Sequence, residues 1–305
     1  MQKTFYLKKN CFLCNKITLC SLESKVIKSQ IKCNVYKCQN CSLVFLDKKF
    51  VNRKLKKNYY ENTYIHKYDE NFKKNSNNIY KKIYDAIKTF TKKREVLEIG
   101  PGGGYLYSYL KNNVKEYHAL EVSAKMREEL KKKFNIQTYK SFAKINKKFD
   151  VVIIVSVLEH VKNPASFLKK ISSYLKRDGK IIIQVPNVND PLVSLYDLKY
   201  YKENYFRKVH LNYFNQYTLA KLIKKLNFKI LFKKSILTYS LTNHLNWLYK
   251  KKGNKNSYEA TNIFFGNSIG KDSRLLDIFS TLDRVYKKEL EYKKLGDIEI
   301  CVCKK

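Results

Sequence analysis

The sequence predicts an α/β fold: a doubly wound, mostly parallel sheet with helices on both faces, preceded by a small cysteine-rich unit. Three observations predict it. From Arg94 onward, short apolar runs alternate with stretches of helical period. The first of those runs enters a turn with glycines at 100, 102 and 104. Six of the eight cysteines fall within the first 50 of 305 residues.

Residues 1–50 have the pattern of short strands and turns, with strand character at Lys32–Lys37 and Leu43–Leu46. Residues 51–93 form a Tyr-rich linker, with Tyr59, Tyr60, Tyr64 and Tyr68 in quick succession, and then a bridging helix. In that helix Ile79, Ile83, Ile87 and Phe90 recur at helical spacing. The large unit spans 94–305. Glu95–Ile99 is its first strand, and a helix follows the glycine turn to about Asn112. Glu116–Glu121 is a second strand, with a charged helix to Phe134, and Ile136–Tyr139 a third. Phe149–Val155, apolar except for Asp150, suits a strand buried on both faces. Pro164–Leu175 follows as a helix, Lys180–Val185 as a fifth strand, Leu219–Leu226 as a helix and Phe228–Phe232 as a sixth strand. Asp297–Cys303 is expected at a sheet edge. Residues 186–215 and 240–292 exceed a minimal unit and are expected to form a lid over the substrate.

The formal net charge is +37, which invites a nucleic-acid partner. The basic residues are 56 Lys and only seven Arg, whereas nucleic-acid sites favour the planar Arg fork. Lys, Asn, Ile, Tyr and Phe share A/T-rich codons, so base composition alone accounts for much of the charge. The longest apolar run, Val151–Leu158 interrupted by Ser156, is far short of the roughly 20 residues needed to span a bilayer. The basic N-terminus, broken by Cys, Asn and Lys, does not have the pattern of a signal peptide. A cytoplasmic protein is expected, in which reduced thiols point to metal before disulfides.

The most informative stretch is Val96-Leu97-Glu98-Ile99-Gly100-Pro101-Gly102-Gly103-Gly104-Tyr105. Glycines let a ligand lie against the backbone, and the following helix offers free N–H groups. Glu121, ending the next strand, is placed to accept both hydroxyls of a ribose. A dinucleotide fingerprint would need its third glycine at position 105, which is Tyr. The acid-x-Gly-x-Gly-x-Gly order instead resembles the first motif of class I S-adenosylmethionine (SAM)-dependent methyltransferases, whose fold is Rossmann-like. Phe149-Asp150-Val151-Val152, Leu158-Glu159-His160-Val161 and Asn163-Pro164 are similar to that family's fourth-strand signature. Arg177-Asp178-Gly179 before an apolar strand, and His210, Phe214 and Leu219 closing on Leu226-Asn227-Phe228, are similar to later segments. The resemblance covers residues 94–232 well. It implies SAM as cofactor, with Glu98, Gly100, Gly102, Gly104, Glu121, Ser156 and Tyr64 around it. Thr138–Phe142 lacks the acid that many members place at the adenine, leaving backbone and Phe142 for that task.

Cys11-x2-Cys14 and Cys38-x2-Cys41 are two knuckle-like pairs whose spacing suits a four-thiolate zinc site. Such a structural Zn2+ would fold a peptide with little core of its own. Cys20 and Cys33 are spare. Cys301 and Cys303 share one face of a strand and suit packing better than ligation. A zinc ribbon ahead of a Tyr-rich stretch and this core resembles a bacterial methyltransferase subgroup that includes enzymes acting on nucleotide-linked sugars.

Methyl transfer needs alignment of donor and acceptor, and removal of a proton from a hydroxyl or acidic C–H. His160 and His210 are the candidate bases, with Glu159 to orient substrate or His160. The plain alternatives are a loop-fixing bond, a helix cap and a structural acid. His66, His118 and His244 have nothing to recommend them. The expected acceptor is a small molecule, a nucleotide-linked sugar or surface-polysaccharide precursor. The alternative is an rRNA methyltransferase whose ribbon binds RNA, against which stand the scarce Arg and the Leu-Glu-His loop.

Overall fold

The computed structural model describes residues 5–50, 70–252 and 273–305. Tyr59, Tyr60, Tyr64, Tyr68 and His66, and the 253–272 part of the expected lid, lie outside the described residues. The N-terminal strands are β1 (Tyr6–Cys11), β2 (Lys16–Ile27), β3 (Ile31–Cys38) and β4 (Val44–Leu46). They form an antiparallel meander. Helix α1 (Glu70–Thr91) then leads into the large sheet.

That sheet is built from β5 (Glu95–Ile99), β6 (Glu116–Leu120), β7 (Gln137–Tyr139), β8 (Phe149–Val155) and β9 (Leu175–Pro186). Two later strands join it; with β10 (Asn212–Tyr213) numbered between, they are β11 (Lys229–Ile236) and β12 (Ile298–Lys304). The order is β11-β12-β9-β8-β5-β6-β7. Strands β5 to β9 pair in parallel, and β12 runs antiparallel to both β9 and β11. The expected doubly wound, mostly parallel sheet is present. On one face Leu97, Val152, Ile154, Ile181 and Ile183 pack with Leu168, Ile171 and Leu222. On the other, Val96, Val151, Ile153 and Ile182 pack with Ile83 and Ile87 of α1. Burial on both faces accounts for the near-continuous apolar runs. The exception in β8, Asp150, accepts a hydrogen bond from the Glu95 backbone N–H at 2.9 Å.

Several of the connecting helices begin at a side-chain cap. These are α2 (Tyr107–Leu110), α3 (Ala124–Phe134), α4 (Pro164–Ser172), α5 (Pro191–Ser194), α6 (Lys199–Tyr205) and α7 (Gln216–Lys225). Ser123 caps α3, and Asn163 caps α4 with Pro164 in the first turn. Asn215 and Thr218 form a capping box on α7. Two further helices, α8 (Leu241–Lys250) and α9 (Ser273–Tyr292), complete the described elements. None of the helices among the described residues is long and apolar enough to cross a membrane.

Two expectations need correction. Helix α2 is a single turn rather than a helix from the glycine loop to Asn112, because Gly102 and Gly104 hold positive φ and delay its start. The Asp297–Cys303 segment is not at an edge. It is the interior strand β12, buried along all but its last residue, and β11 takes the edge with an exposed, lysine-rich pattern.

The N-terminal meander is not free-standing. Strand β10 pairs with β4, Asn212 opposite Phe45 and Tyr213 opposite Val44. Leu13, Cys38, Cys41 and Leu43 share one apolar cluster with Phe214 and Leu219. Lys225 Nζ donates to the Leu13 carbonyl at 3.1 Å.

Candidate functional site

Three loops leave the carboxyl ends of adjacent parallel strands, where open α/β sheets bind ligands. The glycine turn follows β5. Glu121 follows β6 on one side, and Ser156 to His160 follow β8 on the other. Gly100, Gly102 and Gly104 have φ of +70°, +53° and +75°. A Cβ on Gly100 would lie 2.9 Å from Val157 Cγ2, and one on Gly104 equally close to Leu130 and Phe134. The turn is thus a cradle that only glycine allows. Gly100→Ala is expected to lose about 2 kcal/mol of stability from the left-handed backbone. Urea unfolding of the purified variant measures this; an unchanged midpoint would show that the turn relaxes.

Glu121 is buried, and its carboxylate accepts N–H bonds from Ser123 at 2.9 Å and from Gly102 and Val122. Burial nonetheless holds its pKa above the usual carboxylate range. Glu98 is buried beneath the turn, and Tyr117 donates its hydroxyl to Glu98 Oε2 at 2.5 Å. Burial pushes the Glu98 carboxyl up to about 7. Ser156 sits at φ +53°, its hydroxyl donating to Gln184 Oε1 at 3.0 Å. Phe142 is half-buried against Tyr174 and Phe167. The structure therefore brings Glu98, Gly100, Gly102, Gly104, Glu121 and Ser156 to one end of the sheet. A nucleoside-bearing cofactor fits this donor set: a carboxylate at a strand end beside a turn with no side chains.

Glu159 and His160 belong to a single 3-10 turn, Leu158–His160, and His210 comes from the segment before β10. One ligand atom from each lies within 4.8 Å of the others. The His160 and His210 rings meet edge to face at 4.8 Å. His160 Nδ1–H donates to the Val209 carbonyl at 2.9 Å, and the Leu211 N–H donates to the Glu159 carbonyl at 2.8 Å. Glu159 is 1% exposed, and neither carboxyl oxygen has a hydrogen-bond partner. Burial pushes its pKa up to about 8 and lowers both imidazoles, His210 strongly.

The four paired cysteines also converge. Cys11 and Cys41 Sγ are 3.6 Å apart, Cys14 and Cys38 Sγ 3.8 Å, and all four lie within 4.8 Å. Tetrahedral ligation at about 2.3 Å requires sulfur separations near ~3.8 Å, so the set fits a zinc-sized cation. Each knuckle closes alike: Asn15 N–H donates to the Cys11 carbonyl and Ser42 N–H to that of Cys38. Cys20 and Cys33 stay outside the set, and Cys301 and Cys303 pack in the core. Beside the ribbon a cleft of about 150 Å³ is lined by Asn10, Phe12, Phe45, Lys48, Lys162 and Leu211.

Sequence reasoning missed the buried polar layer behind β9. Asp190 is fully buried, caps α5 and receives the Tyr201 hydroxyl at 3.0 Å. Asn187 donates to Glu299 Oε1 and to the Gly296 carbonyl. The Asn187-Val188-Asn189-Asp190-Pro191 run is a turn signal that could have marked it. His244, passed over earlier, is buried, with Nδ1 2.6 Å from the Tyr286 hydroxyl and Nε2 without a partner.

An uncharacterized protein of Methanocaldococcus jannaschii is 29% identical over 166 residues, covering 54% of this chain and 79% of the relative. A SAM-dependent methyltransferase of Thermotoga maritima, described as a possible histamine N-methyltransferase, is 18% identical with a TM-score of 0.48. That match covers 77% of this chain and 93% of the other. A SAM-dependent methyltransferase from Archaeoglobus fulgidus is 18% identical with a TM-score of 0.45, over 74% and 93% of the two chains. Residues 59–232, more than half the chain, match the family described as a methyltransferase domain, and the chain belongs to that family.

Proposed function

We propose that the chain transfers the methyl group of SAM to a small-molecule acceptor, a nucleotide-linked sugar or related surface-polysaccharide precursor. The observation that carries this reading is the placement of two buried carboxylates, Glu121 and Glu159, on opposite sides of the glycine turn. Glu121 takes the ribose hydroxyls. Glu98, Gly100, Gly102, Gly104 and Ser156 shape the bed for the rest of the cofactor, and the sequence resemblance adds Tyr64 to its contacts. SAM, when bound, supplies a methyl group already activated by the sulfonium charge. The chain's own task is to align the acceptor and deal with its proton. Glu159, His160 and His210 do this at the mouth of the same strands.

Zn2+ on Cys11, Cys14, Cys38 and Cys41 keeps the ribbon folded, and the ribbon walls the acceptor side. The β4–β10 pairing and the cleft beside Phe12 and Phe45 support that role. The sugar acceptor is supported by the sequence pattern of ribbon, Tyr-rich stretch and methyltransferase core.

Methyl-labelled SAM, incubated with the protein and either a nucleotide-sugar-rich extract or total RNA, tests the reading. Label is expected in the small-molecule fraction, where mass spectrometry identifies the acceptor. Label in RNA would overturn the acceptor class and give the +37 charge a function.

A further inference from the structure

We propose that Glu159, His160 and His210 form a second cation site, for a first-row divalent metal, distinct from the four thiols. Two imidazoles and a carboxylate are a donor set that such ions accept. Glu159 Oε1 and His160 Nε2 are 3.9 Å apart. A cation about 2.1 Å from three ligands holds them no more than ~3.6 Å apart, so the three side chains, now within 4.8 Å of one another, must close by up to ~1 Å to seat it.

Two further observations point to a ligand rather than to a packed cluster. The first is the Glu159 carboxyl, nearly inaccessible and with neither oxygen hydrogen-bonded. A buried carboxylate left this way is costly unless it is paired, protonated or bound to metal. Arg207 acts on it only at a distance, with no ion pair to it among the described residues. The second is the bond from His160 Nδ1–H to the Val209 carbonyl. It fixes the ring with Nε2 3.9 Å from Glu159 Oε1, while the Ser156 backbone also acts on the same imidazole. Metal-bound imidazoles are commonly oriented by such an outer hydrogen bond.

Three protein ligands leave coordination positions open for an oxygen of the acceptor. A cation there lowers the pKa of an acceptor hydroxyl, and the O–H proton passes to solvent. This use rests on the methyl-transfer reading; the site itself rests on the geometry of the three side chains.

The test uses the full chain with its thiols saturated by Zn2+ and excess metal removed, dialysed against Co2+, with both metals counted by elemental analysis. The expected result is one Co2+ per chain beyond the zinc. Affinity should fall at least ~10-fold in Glu159→Gln and in His210→Ala, with circular dichroism unchanged. A folded parent that binds no Co2+, or two folded variants that bind it like the parent, would overturn the site. Co2+ binding without methyl transfer to any small-molecule fraction would sink the activity reading and leave the site standing. Methyl transfer that is indifferent to loss of the second cation would overturn the cation's part in the reaction and leave the site and the activity standing.

Discussion

Replacing Cys41 with Ser is expected to leave a chain that holds one zinc fewer than the parent and transfers methyl groups at least ~100-fold more slowly. Binding of SAM should change by less than about threefold, because none of its proposed contacts comes from the ribbon. The large effect follows from where the ribbon's stability resides. The buried apolar side chains of residues 5–50 pack largely in clusters shared with the large domain, and structural zinc contributes about 10–16 kcal/mol to such peptides. Three thiols cannot complete the tetrahedron. Strand β4 then loses its anchor, and with it the pairing to β10. The Leu46 N–H donates to the Leu211 carbonyl, and the Leu211 N–H to the Glu159 carbonyl. Disorder in the ribbon therefore passes to Glu159 and His210 through two backbone bonds. Elemental analysis, limited proteolysis and calorimetry with SAM separate the effects. Equal loss of SAM binding and turnover would show that the ribbon supports the whole domain rather than its acceptor side.

The sequence made the parallel part of the fold legible because burial on both faces leaves a one-dimensional signature. Glu95–Ile99 and Phe149–Val155 coincide with β5 and β8 residue for residue. The cysteine knuckles were equally legible, since two C-x2-C pairs bring four thiols within 4.8 Å of one another. Strand order was not. The apolar run of β12 suits an interior strand, but nothing local states that the chain's last strand inserts between β9 and β11. The union of ribbon and core was also hidden. Strand β10 is two residues long and carries no periodicity. The candidate acid–imidazole cluster was read as three residue types, but not as three atoms within 4.8 Å of one another. His160 and His210 are 50 positions apart, and bonds from His160 to Val209, from Leu211 to Glu159 and from Asn212 to Val161 bring them together.

Glu121→Ala is expected to weaken SAM binding by roughly 10- to 150-fold, equivalent to about 1.5–3 kcal/mol for hydrogen bonds to a charged group. The carboxylate is held by the N–H groups of Ser123, Gly102 and Val122, so its position is set before any ligand arrives. It stands at the end of β6, one strand from the glycine turn, where a ribose can reach both. Removing it also leaves the Gly102 and Ser123 N–H groups without their acceptor, which costs stability as well as affinity. Glu121→Gln separates the two losses. The amide keeps one oxygen for those N–H groups but no longer presents a charged acceptor to two hydroxyls. Calorimetry should therefore rank SAM affinity as parent, then Gln, then Ala, while unfolding midpoints place Gln close to parent. If both variants bind SAM within twofold of the parent, Glu121 serves the turn alone and the ribose must be held elsewhere. The backbone at Thr138–Phe142 is then the remaining candidate, since no other carboxylate follows β6 or β7 before Asp150 except Glu128 and Glu129 on helix α3.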